Sequence, residues 1–390
     1  MLNAAAYMLS MVHPLLMHHY AAVDDSCRTG LASSGVAYLI GLFLFGPANN
    51  WLVQRYPRGR VCRVAVLGFG LCAVATYLML CHREFFTWHR FALVRMLTGS
   101  FFGLASMVLL GTLVVDKTES WLRTLANHTV AWMLRFGMVL GPVAAIVLQR
   151  NVGLPRVCLS AFGLIAVAAV LLTCVWFPFK TPEDDVSRLS SDRFLLDGSL
   201  LPFVLTCAGF VVYGFVLMAV SSVMCYVLVL LGFLWVLVLE RYLVVTSLSM
   251  RQLEVSLLFV VAGGASLLSD GALTAGLLGP GLLGAGIGMT AACSQLLLIE
   301  RSGHCRRGTA VNTSFLACES GVALGLAIAP LLLECMAYRC LHSAVSVKKI
   351  ICLIYDKRTH RVAYCRLHGA SFSYYYRRVV CGKPVFYFQL

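Results

Sequence analysis

The stretch "GPANNWLVQRYPRGRVCRV" (46–64) places Arg55, Arg58, Arg60 and Arg63 in one short turn. Apolar runs over 33–53 and 61–81 lie on either side, almost free of charge. Fixed charge confined to a turn between two greasy runs of about 20 residues is the pattern of a chain that crosses a bilayer twice. The rest of the sequence extends it. Of 390 residues, 60% are hydrophobic and 12% charged, and mean hydropathy is +0.84. Soluble domains carry about 25% charged residues. Hydrocarbon offers no partner to backbone amides, so these runs must be helices, and they are too long for barrel strands.

Eleven spans follow from the pattern: 2–22, 33–53, 61–81, 91–115, 127–148, 156–178, 201–220, 222–239, 254–269, 272–298 and 310–333. The chain opens directly into the first, without the basic lead and small-residue cleavage site of a signal peptide. With the N-terminus placed in the cytoplasm, fourteen Lys and Arg fall in inside turns (Arg55, Arg58, Arg60, Arg63, Lys117, Arg123, Lys180, Arg188, Arg193, Arg241, Arg251, Arg301, Arg306, Arg307). Five fall outside (Arg28, Arg83, Arg90, Arg150, Arg156). The positive-inside rule therefore predicts a multi-pass protein of a cell membrane, a bacterial inner membrane in particular, with a cytoplasmic N-terminus. The net charge of +14 belongs to headgroups and topology rather than to nucleic acid. The sixteen cysteines are scattered through apolar runs without a CxxC pair, as small buried hydrophobes. His13, His18 and His19 lack a partner at ligand spacing, so no metal and no cofactor is expected. Acids are dispersed, and no cluster at a membrane face suggests an enzyme.

Self-similarity divides the chain. "VQRY" (53–56) recurs as "LERY" (239–242). Gly99 and Gly103 recur as Gly284 and Gly288, and Thr124 and Asn127 as Thr309 and Asn312. Three matches near an offset of 185 predict two homologous halves, a transporter architecture. The polar connection after the sixth span is the boundary: an N-terminal half 1–179, a cytoplasmic linker 180–200, a C-terminal half 201–335 and an atypical basic tail 336–390.

Several motifs resemble those of the major facilitator superfamily, over roughly residues 1–335. The turn 50–60 is similar to that family's loop between its second and third helices. Arg55 and Arg58 occupy basic positions, while Asn50, Gln54 and Pro57 depart from the usual glycine, acid and glycine. "RMLTGSFFG" (95–103) resembles the fourth-helix motif, with Arg95, Gly99 and Gly103 along one side of a helix. "GMVLGPVAA" (137–145) resembles the fifth-helix motif linked to antiporters, with Gly137, Gly141 and Pro142 as a hinge and Ala144 and Ala145 where paired glycines are usual. "CRRGTAVN" (305–312) resembles the turn before the eleventh helix.

The resemblance implies an all-α polytopic fold of two pseudo-symmetric six-helix halves around a cavity, working by alternating access. It implies that Arg55, Arg58, Arg60 and Gln54 gate the cytoplasmic side. Intramembrane ionisable groups are functional candidates by default. Arg95, Arg135 and Glu319 are therefore assigned to the cavity or a proton path, with His13, Tyr38 and Tyr213 as further lining. The expected activity is secondary transport of a small organic molecule, with proton-coupled efflux favoured. A sugar or metabolite importer and a non-transporting paralogue are the alternatives. The expected partners are the lipid bilayer, a small-molecule substrate and protons, in a monomer. Past about 335 the family pattern stops. The longest apolar run, "IICLIY" (350–355), is too short to cross, so the twelfth helix reads as missing or replaced by an altered or divergent end.

Overall fold

The computed structural model describes residues 1–20, 25–119, 122–177, 187–243, 250–268, 273–303 and 306–356 of the chain. The chain divides into two units, Met1–Glu334 and Cys335–Leu390. Among the described residues every regular element is a helix, and nine helices are long and apolar enough to cross a membrane. Two further apolar helices, Leu2–Met17 and Val223–Val238, are shorter.

The elements of the first half are α1 (Leu2–Ser10), α2 (Val12–Tyr20), α3 (Asp25–Leu44), α4 (Asn49–Arg55), α5 (Arg58–Cys81), α6 (Trp88–Val108), α7 (Val114–Lys117), α8 (Arg123–Val152) and α9 (Leu154–Cys174). The second half holds α10 (Leu200–Ala219), α11 (Val223–Leu243), α12 (Met250–Leu268), α13 (Leu273–Arg301) and α14 (Arg307–Asp356). In α14 the stretch Arg307–Leu332 has membrane length. Among the described residues no further candidate span follows it. The tail beyond 356 lies outside the described residues.

Three readings change in detail. The expected first span is two helices rather than one. Pro14 has no amide to give the Ser10 carbonyl, and the ladder is interrupted there. The second span breaks in a turn over 45–48, at Gly46 and Pro47, before α4 resumes. A π-helical segment, Leu109–Leu113, joins α6 to α7 inside what was one run.

The outward faces are apolar. On α5 Val64, Leu67 and Leu71 are exposed at helical spacing. On α9 Leu159, Val167, Val170 and Leu171 are exposed as well. Such faces are solvated by lipid, not water.

The duplication is visible in the packing itself. A Cβ on Gly41 of α3 would strike the Met96 carbonyl and the Ser100 amide of α6; one on Gly232 of α11 would strike the Gly281 carbonyl and the Ala285 amide of α13. Gly99 packs on the Tyr38 carbonyl as Gly284 packs on that of Val229. Gly103 meets Leu42 as Gly288 meets Phe233. From α3 to α11 the step is 191 residues, and from α6 to α13 it is 185. The second contact repeats likewise. Gly141 of α8 sits on Ala4, Tyr7 and Met8 of α1; Gly325 of α14 sits on Val211, Gly214 and Phe215 of α10. The steps there are 184 and 207. Except at Gly288, which meets the Phe233 ring, these glycines bring two helix backbones into direct contact. The match "VQRY"/"LERY" falls five residues off the 191 register of the helices that carry it, and the side chains of 239–242 lie outside the described residues.

Candidate functional site

Where the halves meet, α1 and α8 face α10, α13 and α14. Tyr7 donates its hydroxyl to Glu319 Oε1 at 3.2 Å. Tyr213 donates to the Met138 carbonyl at 2.9 Å, and Gln295 Nε2 to the Asn127 carbonyl at 3.1 Å. Phe102 and Phe315 stack edge-on, with centroids 5.8 Å apart. Between these contacts lies a cavity of ≈ 40 Å³ lined by Asn3, Leu110, Ala131, Leu134, Arg135, Met138, Ala291, Gln295, Val311, Ser314, Phe315, Cys318 and Glu319. That is room for a few water molecules.

Two close backbone contacts cross the seam. At the linker end, Gly111 of the π-helical segment packs against Gly308 and Asn312 of α14. Toward the other end, Gly35 of α3 packs against Ala327 of α14, leaving no room for a Cβ. Both contacts hold α14 of the second half directly against helices of the first.

Arg135 and Glu319 are 3% and 4% exposed, and both line the chamber. The 184 register that joins Gly141 to Gly325 and Gly137 to Gly321 also joins Arg135 to Glu319. The sequence placed Glu319 near the counterpart of Arg135; the packing makes it the counterpart. One half offers a cation and the other an anion at the same point of the repeat. The Arg135 guanidinium lies 4.5 Å from the Trp132 ring centroid, and Trp132 Nε1 donates to His128 Nε2. Aromatic faces of this kind attract guanidinium groups.

Arg95, His13, Tyr38 and Tyr213 lie outside the residues that line this chamber. Arg95 is buried inside the first half. It donates to the Leu9 carbonyl and to Ser10 Oγ, both at 3.5 Å, and stacks 4.6 Å from the centre of the Tyr38 ring. His13 Nε2 bonds Ser34 Oγ at 2.7 Å, and its ring tilts against Phe91 at 5.5 Å. Together α1, α2, α3 and α6 bury one polar cluster beside the chamber. Tyr213 ties α10 to α8 across the seam. Pro142 lies within α8, one residue after Gly141; Gly137 packs on Asn3 and Ala4 of α1, one turn before the Gly141 contact.

In the arginine turn, Arg55 and Arg60 are exposed and Gln54 is half-buried. Arg58 turns inward and donates through Nε to the Val53 carbonyl at 3.4 Å. This bond helps to close the α4–α5 corner.

Asn3, Gln295 and Ser314 were not singled out from the sequence. Gln295, an amide in the apolar run of α13, carried the usual signal of an intramembrane polar group. Asn3 is hidden by its place at the start of the chain. Its Nδ2 donates to the Leu134 carbonyl at 2.6 Å, and its Oδ1 is buried with no protein donor among the described residues. The same residues hold no group of three His, Cys, Asp or Glu able to bind a metal; the side chains of His18 and His19 lie outside them.

The fold has close parallels among solved structures. The inward-open xylose transporter XylE from E. coli superposes with a TM-score of 0.63 at 14% identity, over 84% of this chain and 87% of its own. The human organic anion transporter MFSD10 (TETRAN) gives 0.57 at 14%, over 85% and 90%. The nucleoside transporter NupG gives 0.54 at 11%, over 86% and 92%. Among curated protein sequences none matches significantly. Residues 1–326 match the family model of the Major Facilitator Superfamily, and the chain belongs to that superfamily.

Proposed function

We propose that this protein is a secondary transporter that carries a small organic molecule by alternating access and exports it in exchange for protons. The observation that carries the reading is the pair Arg135 and Glu319. They are buried at equivalent points of two repeated halves, and both line one chamber. Charges in such a place are costly unless they serve a path. A rocking of one half against the other would expose the chamber to each side in turn. Glu319 is the group that would exchange a proton, and its bond from Tyr7 crosses the seam that must open. Export is supported by the Gly137–Gly141–Pro142 segment, packed directly on α1, and by its resemblance to the antiporter motif. The excess of Lys and Arg in the turns beside the linker supports a cytoplasmic N-terminus. Arg55, Arg58, Arg60 and Gln54 would form part of the gate on that side.

The likeness to a D-xylose–proton symporter, with a TM-score of 0.60 at 15% identity, favours a second reading, proton-driven uptake. Reconstituted vesicles with an imposed pH gradient separate the two. For exchange, substrate loaded on one side drives proton movement in the opposite direction, and Glu319→Gln uncouples the two fluxes. Symport moves both in the same direction. No proton movement with any transported solute would remove the coupling proposal.

A further inference from the structure

We infer that Asn3 holds a water molecule in the chamber and sets it against Glu319, as the step through which that carboxyl gains or gives up its proton. The inference rests on the transport reading above and names a positioning residue for its coupling site. Asn3 and Glu319 are each 4% exposed, and they line the same chamber from opposite halves. Asn3 is fixed by its amide end, because Nδ2 donates to the Leu134 carbonyl at 2.6 Å. Its other end, Oδ1, is buried with no donor among the described residues. Tyr7 supplies Glu319 with one donor, to Oε1 at 3.2 Å, and a carboxylate accepts several. Gln295 Nε2, a further amide donor on the wall, is given to the Asn127 carbonyl at 3.1 Å.

Two acceptors on one chamber call for a donor with two hydrogens, and water has them. The chamber of ≈ 40 Å³ suits it, since about 10–15 Å³ holds one water. Buried waters sit where polar groups would otherwise lack partners, and typically make about three hydrogen bonds. Ser314, on the same wall, offers a third through its hydroxyl. Leu110, Met138 and Phe315 confine the water with apolar surface. With the chamber open to one side, the held water passes one hydrogen to the Glu319 carboxylate and regains one from a hydronium ion in that solution. A carboxylate and a hydronium become a neutral carboxyl and water, and reversal on the other side releases the proton. The other titratable groups around Glu319 are Tyr7 of α1, Tyr38 of α3, Arg135 of α8 and Tyr213 of α10, with Cys318 beside it on α14. Glu319 is the carboxyl among them, so its infrared band can be followed apart from theirs.

The test uses the full-length protein in nanodiscs. Infrared difference spectra are taken across a pH step, and proton uptake after a rapid pH jump is timed with a pH-sensitive dye. The carboxyl band lost in Glu319→Gln marks the site, and oxygen-18 water marks the bound water by shifting its O–H band. The expected result is an isotope-sensitive water band that changes together with the Glu319 band. Asn3→Leu should abolish the water band and slow proton uptake about tenfold or more. Asn3→Ser gives up the bond to Leu134 but keeps an acceptor on the wall, so it should retain the water band and most of the rate. In the wild type, a Glu319 band that changes without any isotope-sensitive water band would overturn the inference and leave proton exchange at Glu319 standing. So would a water band and an uptake rate unchanged in Asn3→Leu, or equal losses in Asn3→Leu and Asn3→Ser, the mark of a merely structural role. No change of a Glu319 carboxyl band across the step would overturn this inference and the coupling reading together.

Discussion

Arg95 shows what a single buried charge does here. It is anchored by two long hydrogen bonds and by the Tyr38 ring, so much of its stabilisation comes from the stacked, desolvated guanidinium. Such contacts are worth up to about 2 kcal/mol. Lysine has the charge but not the flat face. Arg95→Lys should therefore lower the thermal midpoint nearly as far as Arg95→Ala, read by unfolding in detergent; full rescue by lysine would show that charge alone matters. At this scale the sequence was informative about which residues are buried and charged. Arg95, Arg135 and Glu319 each stood out as ionisable groups in apolar runs. It was silent on which of them share a chamber, because helix rotation decides that. Arg135 and Glu319 line it, whereas Arg95 turns into its own half.

At the scale of elements, the glycines explain both the repeat and its partial concealment. Four helix pairs have steps of 207, 191, 185 and 184 residues, since the connections between helices differ in length between the halves. A search at an offset of 185 finds only the α6/α13 register; the Thr124/Thr309 and Asn127/Asn312 matches at that offset fall one residue off the 184 register of α8 and α14. The α1/α10 and α3/α11 matches emerge only from the backbone contacts. Gly284→Leu would drive a side chain into the Val229 carbonyl. Overpacking costs about 1–3 kcal/mol, and more is expected where the obstacle is backbone. Gly281, three residues earlier, has open space where its Cβ would be, so Gly281→Ala should be neutral or stabilising by up to about 1 kcal/mol. Thermal midpoints of the two variants check this, and equal losses would argue against the close packing of α11 on α13.

The described part of the linker forms a second kind of element. Arg193 adopts a left-handed backbone, φ 58°, a conformation that costs a non-glycine residue about 1–2 kcal/mol. It is held there because its carbonyl accepts from Asn49 Nδ2 at 2.9 Å and Asn312 Nδ2 at 2.7 Å, while its amide donates to Thr309 Oγ1 at 3.1 Å. Leu196 donates to Thr313 Oγ1, Phe194 packs on Gly46 and Phe43, and Arg306 pairs with Asp197 at 2.8 Å. The strap thus joins the end of α3 to the start of α14. Composition marked this segment only as a polar connection, since its bonds are made by backbone groups that no sequence pattern reports. Asn312→Ala should cost about 1–2 kcal/mol and speed proteolysis within 187–199; unchanged cleavage would mean that the strap does not bind the two helices together.

For the whole molecule, two repeated halves of Met1–Glu334 meet on a seam crossed by close contacts at Gly111–Gly308 and at Gly35–Ala327, around a chamber of ≈ 40 Å³. The lipid-facing character, the helix count within one or two and the twofold plan were legible, because hydrocarbon imposes them on composition and spacing. The contacts across the seam were not, since Gly35 with Ala327 and Gly111 with Gly308 bring together residues about 200–300 positions apart. Under the proposed alternating access, these two contacts open in turn. Spin labels introduced at Val36 and Ile328 on one end, and at Leu44 and Arg301 on the other, measure both by pulsed dipolar spectroscopy in nanodiscs. Alternating access requires reciprocal distances: each condition that lengthens one pair, whether a pH step or Glu319→Gln, shortens the other or leaves it unchanged. Two pairs that lengthen together, or that never move under any condition, would contradict it.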